Sequence, residues 1–196
     1  MRLALPVLVA ACLLTTACVH RTGETAATSQ PPAESPVAVL LEHAGRSRSL
    51  NIYVDQASPN GAGRAQAGSL ALALRDLLRA RGFEVRGAET SPPSGEGGYL
   101  AVRLAAAVAA GEPVPAAARP LSYLQPNAPR LLFFVHLGTA ANTKDDAPVL
   151  GAFLADSADG TILWSARATG RSPASDLQLR QLAERLLKTL PSLTPR

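Results

Sequence analysis

The sequence predicts an α/β fold: a mixed sheet of about five strands with two to three helices packed on it, after a signal peptide and a flexible tether. Three observations lead there. Short runs rich in β-branched and aromatic residues, bounded by turn clusters, read as strands. Longer stretches repeat apolar residues every three to four positions, as amphipathic helices do. The order of these segments, with a strand, a helix and a strand first, is that of a layered α/β domain.

The chain starts Met1-Arg2 and then runs apolar from Leu3 to Val19, interrupted by Pro6, Thr15 and Thr16. A charged start and a short apolar core form a signal-peptide layout. A transmembrane helix needs about 20 apolar residues, and the polar stretch from His20 to Glu24 arrives too early for that. Residues 18–47 follow, with Ser29-Gln30-Pro31-Pro32 and Ser35-Pro36 and one apolar patch at Val37 to Leu41, and are read as a tether. Thirty coil residues have an end-to-end distance of about 30 Å. The folded domain is therefore expected over residues 48–196.

Leu50 to Val54 alternates apolar and polar residues and precedes the turn cluster Ser58-Pro59-Asn60-Gly61, which defines the first strand. Leu70, Ala73, Leu74, Leu77 and Leu78 form a helical stripe, with Ser69 placed to cap its start and Gly82 to end it. Phe83 to Arg86 gives a short second strand. Tyr99 to Ala110 fits a helix or a strand, with its alanines favouring helix. Pro113, Pro115, Pro120, Pro126 and Pro129 then break the chain.

Leu131 to Leu137 is a continuous apolar run, suited to a central strand covered on both faces. Val149 to Ala155 and Thr161 to Thr169 form a hairpin around Asp156 to Gly160, where Asp159-Gly160 supplies the left-handed turn conformation. Ile162, Trp164 and Ala166 are expected on one face, with the indole of Trp164 under a helix. Ser175 to Gln178 matches a capping box ahead of Leu179, Leu182, Leu186 and Leu190, and Pro191 closes the helix.

Leu14-Thr15-Thr16-Ala17-Cys18 resembles the bacterial lipobox, with Thr15 where leucine is usual. The resemblance implies a signal peptide over residues 1–17, cleavage before Cys18 and lipid on that cysteine, with Cys12 as the alternative site. Several acyl chains, at about 0.8 kcal/mol per buried methylene, would make the attachment effectively permanent. The enterobacterial sorting rule retains lipoproteins with Asp after the cysteine. Val19 stands there instead, which implies the outer membrane, periplasmic face. Cys12 and Cys18 are the only cysteines, so cleavage at Cys18 leaves no structural disulfide.

The hydrophobic share is 47%, yet the aromatic share is 4%, so the core is expected to be small and aliphatic. The net charge is +4, but arginines are dispersed and lysine occurs only at 144 and 188, which argues against nucleic acid as a partner. Dispersed cations read as a solvated surface, or as a weak attraction to anionic lipid or peptidoglycan.

The stretch from Leu154 to Arg167 is similar to the hairpin of small bacterial envelope lipoproteins: a strand, D-x-x-x-G, and a strand containing Trp. That group includes the curli-secretion lipoprotein, the lipoprotein activators of penicillin-binding proteins and the amino-terminal domain of the Tol translocation protein. The similarity extends in layout over residues 48–190. It implies a binding and assembly domain without catalysis.

No G-x-S-x-G motif is present, and the glycines at 95–98 lack the Lys-Ser/Thr of a phosphate loop. His20, His43 and His136 are scattered without Cys or acidic neighbours at ligand spacing, so neither metal nor cofactor is expected. Asp145-Asp146 and Asp156 with Asp159 lie in turn contexts. The expected function is thus a non-catalytic outer-membrane lipoprotein acting as a binding or assembly factor, with an envelope protein as its partner. Tyr123, Leu124 and Arg130 are the candidate contact residues by loop position. The alternative is a lipoprotein binding a small ligand or glycan, or a hydrolase built from Asp145, Asp146 and His136.

Overall fold

In the computed structural model the strands are β1 (Ser49–Gln56), β2 (Glu84–Glu89), β3 (Leu131–Thr139), β4 (Pro148–Asp156) and β5 (Ile162–Thr169). The helices are α1 (Gly61–Ala80), α2 (Glu96–Ala110) and α3 (Asp176–Leu186), with 3-10 turns at Arg119–Tyr123 and Leu187–Thr189. The structure describes residues 40, 42, 47–57, 61–124, 129–139, 147–171 and 175–193. The expected signal peptide, Cys12, Cys18, His20, His43, Asp145 and Asp146 lie outside them.

The five strands form one mixed sheet in the order β2-β1-β3-β4-β5. β1 pairs in parallel with β2 and β3, whereas β4 pairs antiparallel with both β3 and β5. The predicted α/β class is the observed one. β3 is central, and six of its nine residues are buried, as its unbroken apolar run requires.

Alternation along the strands divides the core. Leu50, Ile52 and Val54 of β1 join Leu131, Phe133 and Val135 of β3, and Leu70, Leu74 and Leu78 of α1 cover them together with Leu179, Leu182 and Leu186 of α3. The opposite side of the sheet carries Tyr53, Leu132, Phe134 and Phe153 under Ala101 and Ala105 of α2. Rings stack there, Tyr53 on Phe134 at 5.1 Å and Phe134 on Phe153 at 5.2 Å. Leu40, within the stretch assigned to the tether, is fully buried in the first cluster, so the core draws on a position upstream of residue 48.

Several elements differ from expectation. α1 begins at Gly61, not at Ser69, because tertiary packing of Ala67 and Leu70 carries the helix two turns earlier than the capping signal implies. Its end is as expected: Gly82 sits at φ 90°, its N–H donates to the Arg79 carbonyl, and the Phe83 N–H donates to the Leu78 carbonyl. β2 starts one residue later than Phe83, which turns into the core instead. Tyr99 to Ala110 is helical, and α2 closes on Gly111 in the same left-handed way.

The α3 capping box is complete: the Gln178 N–H donates to Ser175 Oγ, and the Ser175 N–H donates to Gln178 Oε1. The α-helix stops at Leu186 and tightens into the 3-10 turn before Pro191. A shift in the β4–β5 register, where Leu154 pairs with Trp164 but Ala155 with Ile162, places Ile162 against the α2 side, while Trp164 and Ala166 pack on the other. A bulge moves one residue to the opposite face, and simple alternation misses it. Trp164 is partly buried. Its ring lies 5.7 Å from Phe133, and its indole N–H donates to Thr189 Oγ1 at 3.1 Å.

Candidate functional site

The proline-rich middle is anchored to the β4–β5 turn. The Ala118 N–H donates to the Gly160 carbonyl, and the Ile162 N–H to the Ala116 carbonyl. Gly160 has φ 76°, and a Cβ there would fall 2.8 Å from the Ala118 carbonyl carbon. Glycine is thus required at this turn both for its conformation and for the close approach of the chain passing over it.

Arg130 stands beneath that turn. Its Nε donates to Asp156 Oδ2 at 3.0 Å, and Asp156 is fully buried, with its Oδ1 accepting from the Ala158 N–H. A charge taken out of water needs such partners. Of the sequence-derived contact residues, Arg130 is therefore held in an ion pair, and Leu124 is half-buried against the α2-side core. Tyr123 ends the first 3-10 turn.

α2 is seated closely on its surroundings. A Cβ on Gly97 would meet Leu124 at 2.8 Å, one on Gly98 would lie 2.8 Å from the Pro93 carbonyl carbon, and one on Gly151 of β4 would lie 2.6 Å from Ala109 Cα. Small residues on both sides bring the helix backbone down onto the sheet. Its outer side is unusual. Tyr99 is 67% exposed, Val102, Leu104 and Ala106 are partly exposed, and Arg103 and Glu96 are the only charges on the helix. The Arg103 guanidinium lies over the Tyr99 ring at 5.9 Å. α1 and α3 turn Arg75, Asp76, Arg180 and Glu184 to solvent, each beside one exposed leucine, Leu72 and Leu177.

His136 of β3 is only partly buried. Its Nδ1 is 2.7 Å from Asp55 Oδ2 across the β1–β3 pair, and both are partly exposed. Sequence reasoning missed this partner because Asp55 lies 81 positions away. A Cβ on Gly138 would approach His136 Nε2 to 3.1 Å, so glycine keeps the far side of the ring open. Beside it, burial raises the Tyr53 hydroxyl above its ordinary pKa of 10.0, against the lowering effect of the hydrogen bond from Asn51. Among the described residues no three His, Cys, Asp or Glu side chains converge as metal ligands would. No described helix is long and apolar enough to cross a membrane.

The class so defined is an α/β domain with a mixed five-stranded sheet, covered by α1 and α3 on one face and α2 on the other. No protein-family model and no curated protein matches the chain. Among solved structures, the PelC dodecamer from Paraburkholderia phytofirmans is similar at 19% identity and a TM-score of 0.41, over 76% of this chain and 91% of that one. Lipoprotein GNA1162 from Neisseria meningitidis is similar at 20% identity and a TM-score of 0.37, over 72% of this chain and 96% of that one. At these values neither likeness carries an activity or a partner over to this chain.

Proposed function

We propose that the chain is a lipoprotein attached through Cys18 to the outer membrane, whose non-catalytic α/β domain binds a protein partner in an envelope assembly. The observation that carries this reading is the outer side of α2. An exposed helix face with few charges marks a contact surface, and α2 has only one side against the sheet while Tyr99 stands exposed on the other. A partner with an apolar patch and an acidic rim complements Tyr99, Val102 and Arg103. Tyr123 and Leu124 follow at the adjoining turn, and Arg130 holds that turn in place rather than contacting the partner. The lipobox-like run supports the anchor.

Two experiments test the two halves of the proposal. Cys18→Ala is expected to lose labelling by radioactive palmitate and to stay uncut; a variant that is still labelled or still cut removes the anchor from the proposal. A photo-crosslinking residue at Val102 is expected to give one discrete adduct in cells, suppressed by Tyr99→Asp, whereas the same residue at Arg180 gives none. Equal labelling from both positions, or none from Val102, rejects α2 as the docking surface.

A further inference from the structure

Across the sheet from α2, a groove of about 660 Å³ separates α3 from the ends of β4 and β5. Pro148, Gly170 and Arg171 line one side, and Gln181, Arg185 and Lys188 line the other. The strand ends are locked together, since the Gly170 N–H donates to the Pro148 carbonyl at 2.7 Å. A Cβ on Gly170 would lie 2.7 Å from Pro148 Cγ and 3.4 Å from Leu182 Cδ2, so glycine lets this edge close against the helix. Gln178, Gln181, Arg185 and Lys188 recur at spacings of three and four and stand in one row.

Three cations and one carboxylate, Glu184, line the groove. Among the described residues, Arg171, Arg185 and Lys188 have no ion-pair or hydrogen-bond partner. Three cations facing one concavity repel each other, and an anion placed between them relieves that repulsion. Guanidinium groups match a carboxylate in a two-point fork. The remaining groups suit hydroxyls. Gln178 Oε1 is taken by the Ser175 N–H, which leaves its amide N–H groups to donate, and Glu184 accepts while Arg180 offsets its charge at 3.5 Å.

We infer that this groove binds a carboxylate-bearing saccharide. A small inorganic anion would leave the amides and Glu184 unused. A lipid surface would need apolar side chains around the cations, and Pro148 is the single apolar side chain lining the groove. The inference does not rest on the α2 docking surface. The sheet lies between them, so loss of saccharide binding and loss of the Val102 adduct are separate results.

The test is calorimetric titration of the full chain in detergent with trigalacturonate, against maltotriose and inorganic phosphate. Saturable binding is expected with trigalacturonate alone, weakening with added salt. The pair Arg171→Glu and Arg185→Glu is expected to weaken it at least about tenfold, and Arg86→Glu on the far edge strand to leave it unchanged. Should the reversed pair melt early, the neutral pair Arg171→Gln and Arg185→Gln reads the same loss. Absence of saturation, an equal response to maltotriose, tighter binding of phosphate, or an equal loss in Arg86→Glu overturns the inference.

Discussion

Gly151→Ala tests the close approach of α2 to the sheet. The position is fully buried in β4, opposite His136 of β3 and Arg167 of β5, and α2 passes directly over it. A methyl group built there overlaps Ala109 N and Ala105 O and lies 2.6 Å from Ala109 Cα. Ordinary contact needs roughly 3.5 Å or more. These are backbone atoms, which cannot swing aside as a side-chain tip can, so α2 must lift by about 1 Å along its last turns. Overpacking of this kind costs about 1–3 kcal/mol. For a domain of this size that lowers Tm by roughly 3–10 °C. Thermal unfolding followed by circular dichroism measures it, with Gly68→Ala as the control. Gly68 lies within α1, and nothing stands within 4 Å of its added Cβ, so alanine there is expected to stabilise by about 0.5–1 kcal/mol. If Gly151→Ala melts with the parent protein while Gly68→Ala rises, the close seating of α2 is wrong.

Three further outcomes follow from the same geometry. Arg130→Ala takes the guanidinium from the buried Asp156 carboxylate and is expected to cost about 3 kcal/mol in urea unfolding; a loss below about 1 kcal/mol would mean that the pair is solvated. Ser175→Ala removes the hydroxyl of the capping box and should cost about 1 kcal/mol, read as a lower urea midpoint with an unchanged slope. Folding raises the Tyr53 pKa above 10.0, so the unfolded chain releases this proton first. Its contribution is complete below about pH 10 and lost as pH rises through the folded-state value, and Tyr53→Phe should flatten the decline of stability in that window. An identical decline in the variant would exclude Tyr53 as its source.

Local patterns carried most of the secondary structure. The unbroken apolar run of β3, the capping box of α3 and the Asp159-Gly160 turn are each specified by a few adjacent residues, so they were legible. Tyr99 to Ala110 was ambiguous because it carries apolar residues on every side, and that same property makes it the candidate docking helix. Arg130 stood out by loop position, but its partner Asp156 lies 26 residues on and is buried only once the hairpin closes. The groove at α3 had no signal in the sequence, because Arg171 is brought to Arg185 and Lys188 by the folding of the β5 end against the helix.

Tyr99 to Ala110 apart, the sequence by itself determined which segments are strands and helices and where most of them stop, since periodicity, caps and turn residues act over one or two turns of chain. Only the tertiary structure decided the order β2-β1-β3-β4-β5, the bulge that sends Ile162 across the sheet, and the seating of α2 on Gly151. Those features depend on contacts between distant residues, and the packing of whole faces, not any local preference, selects among them.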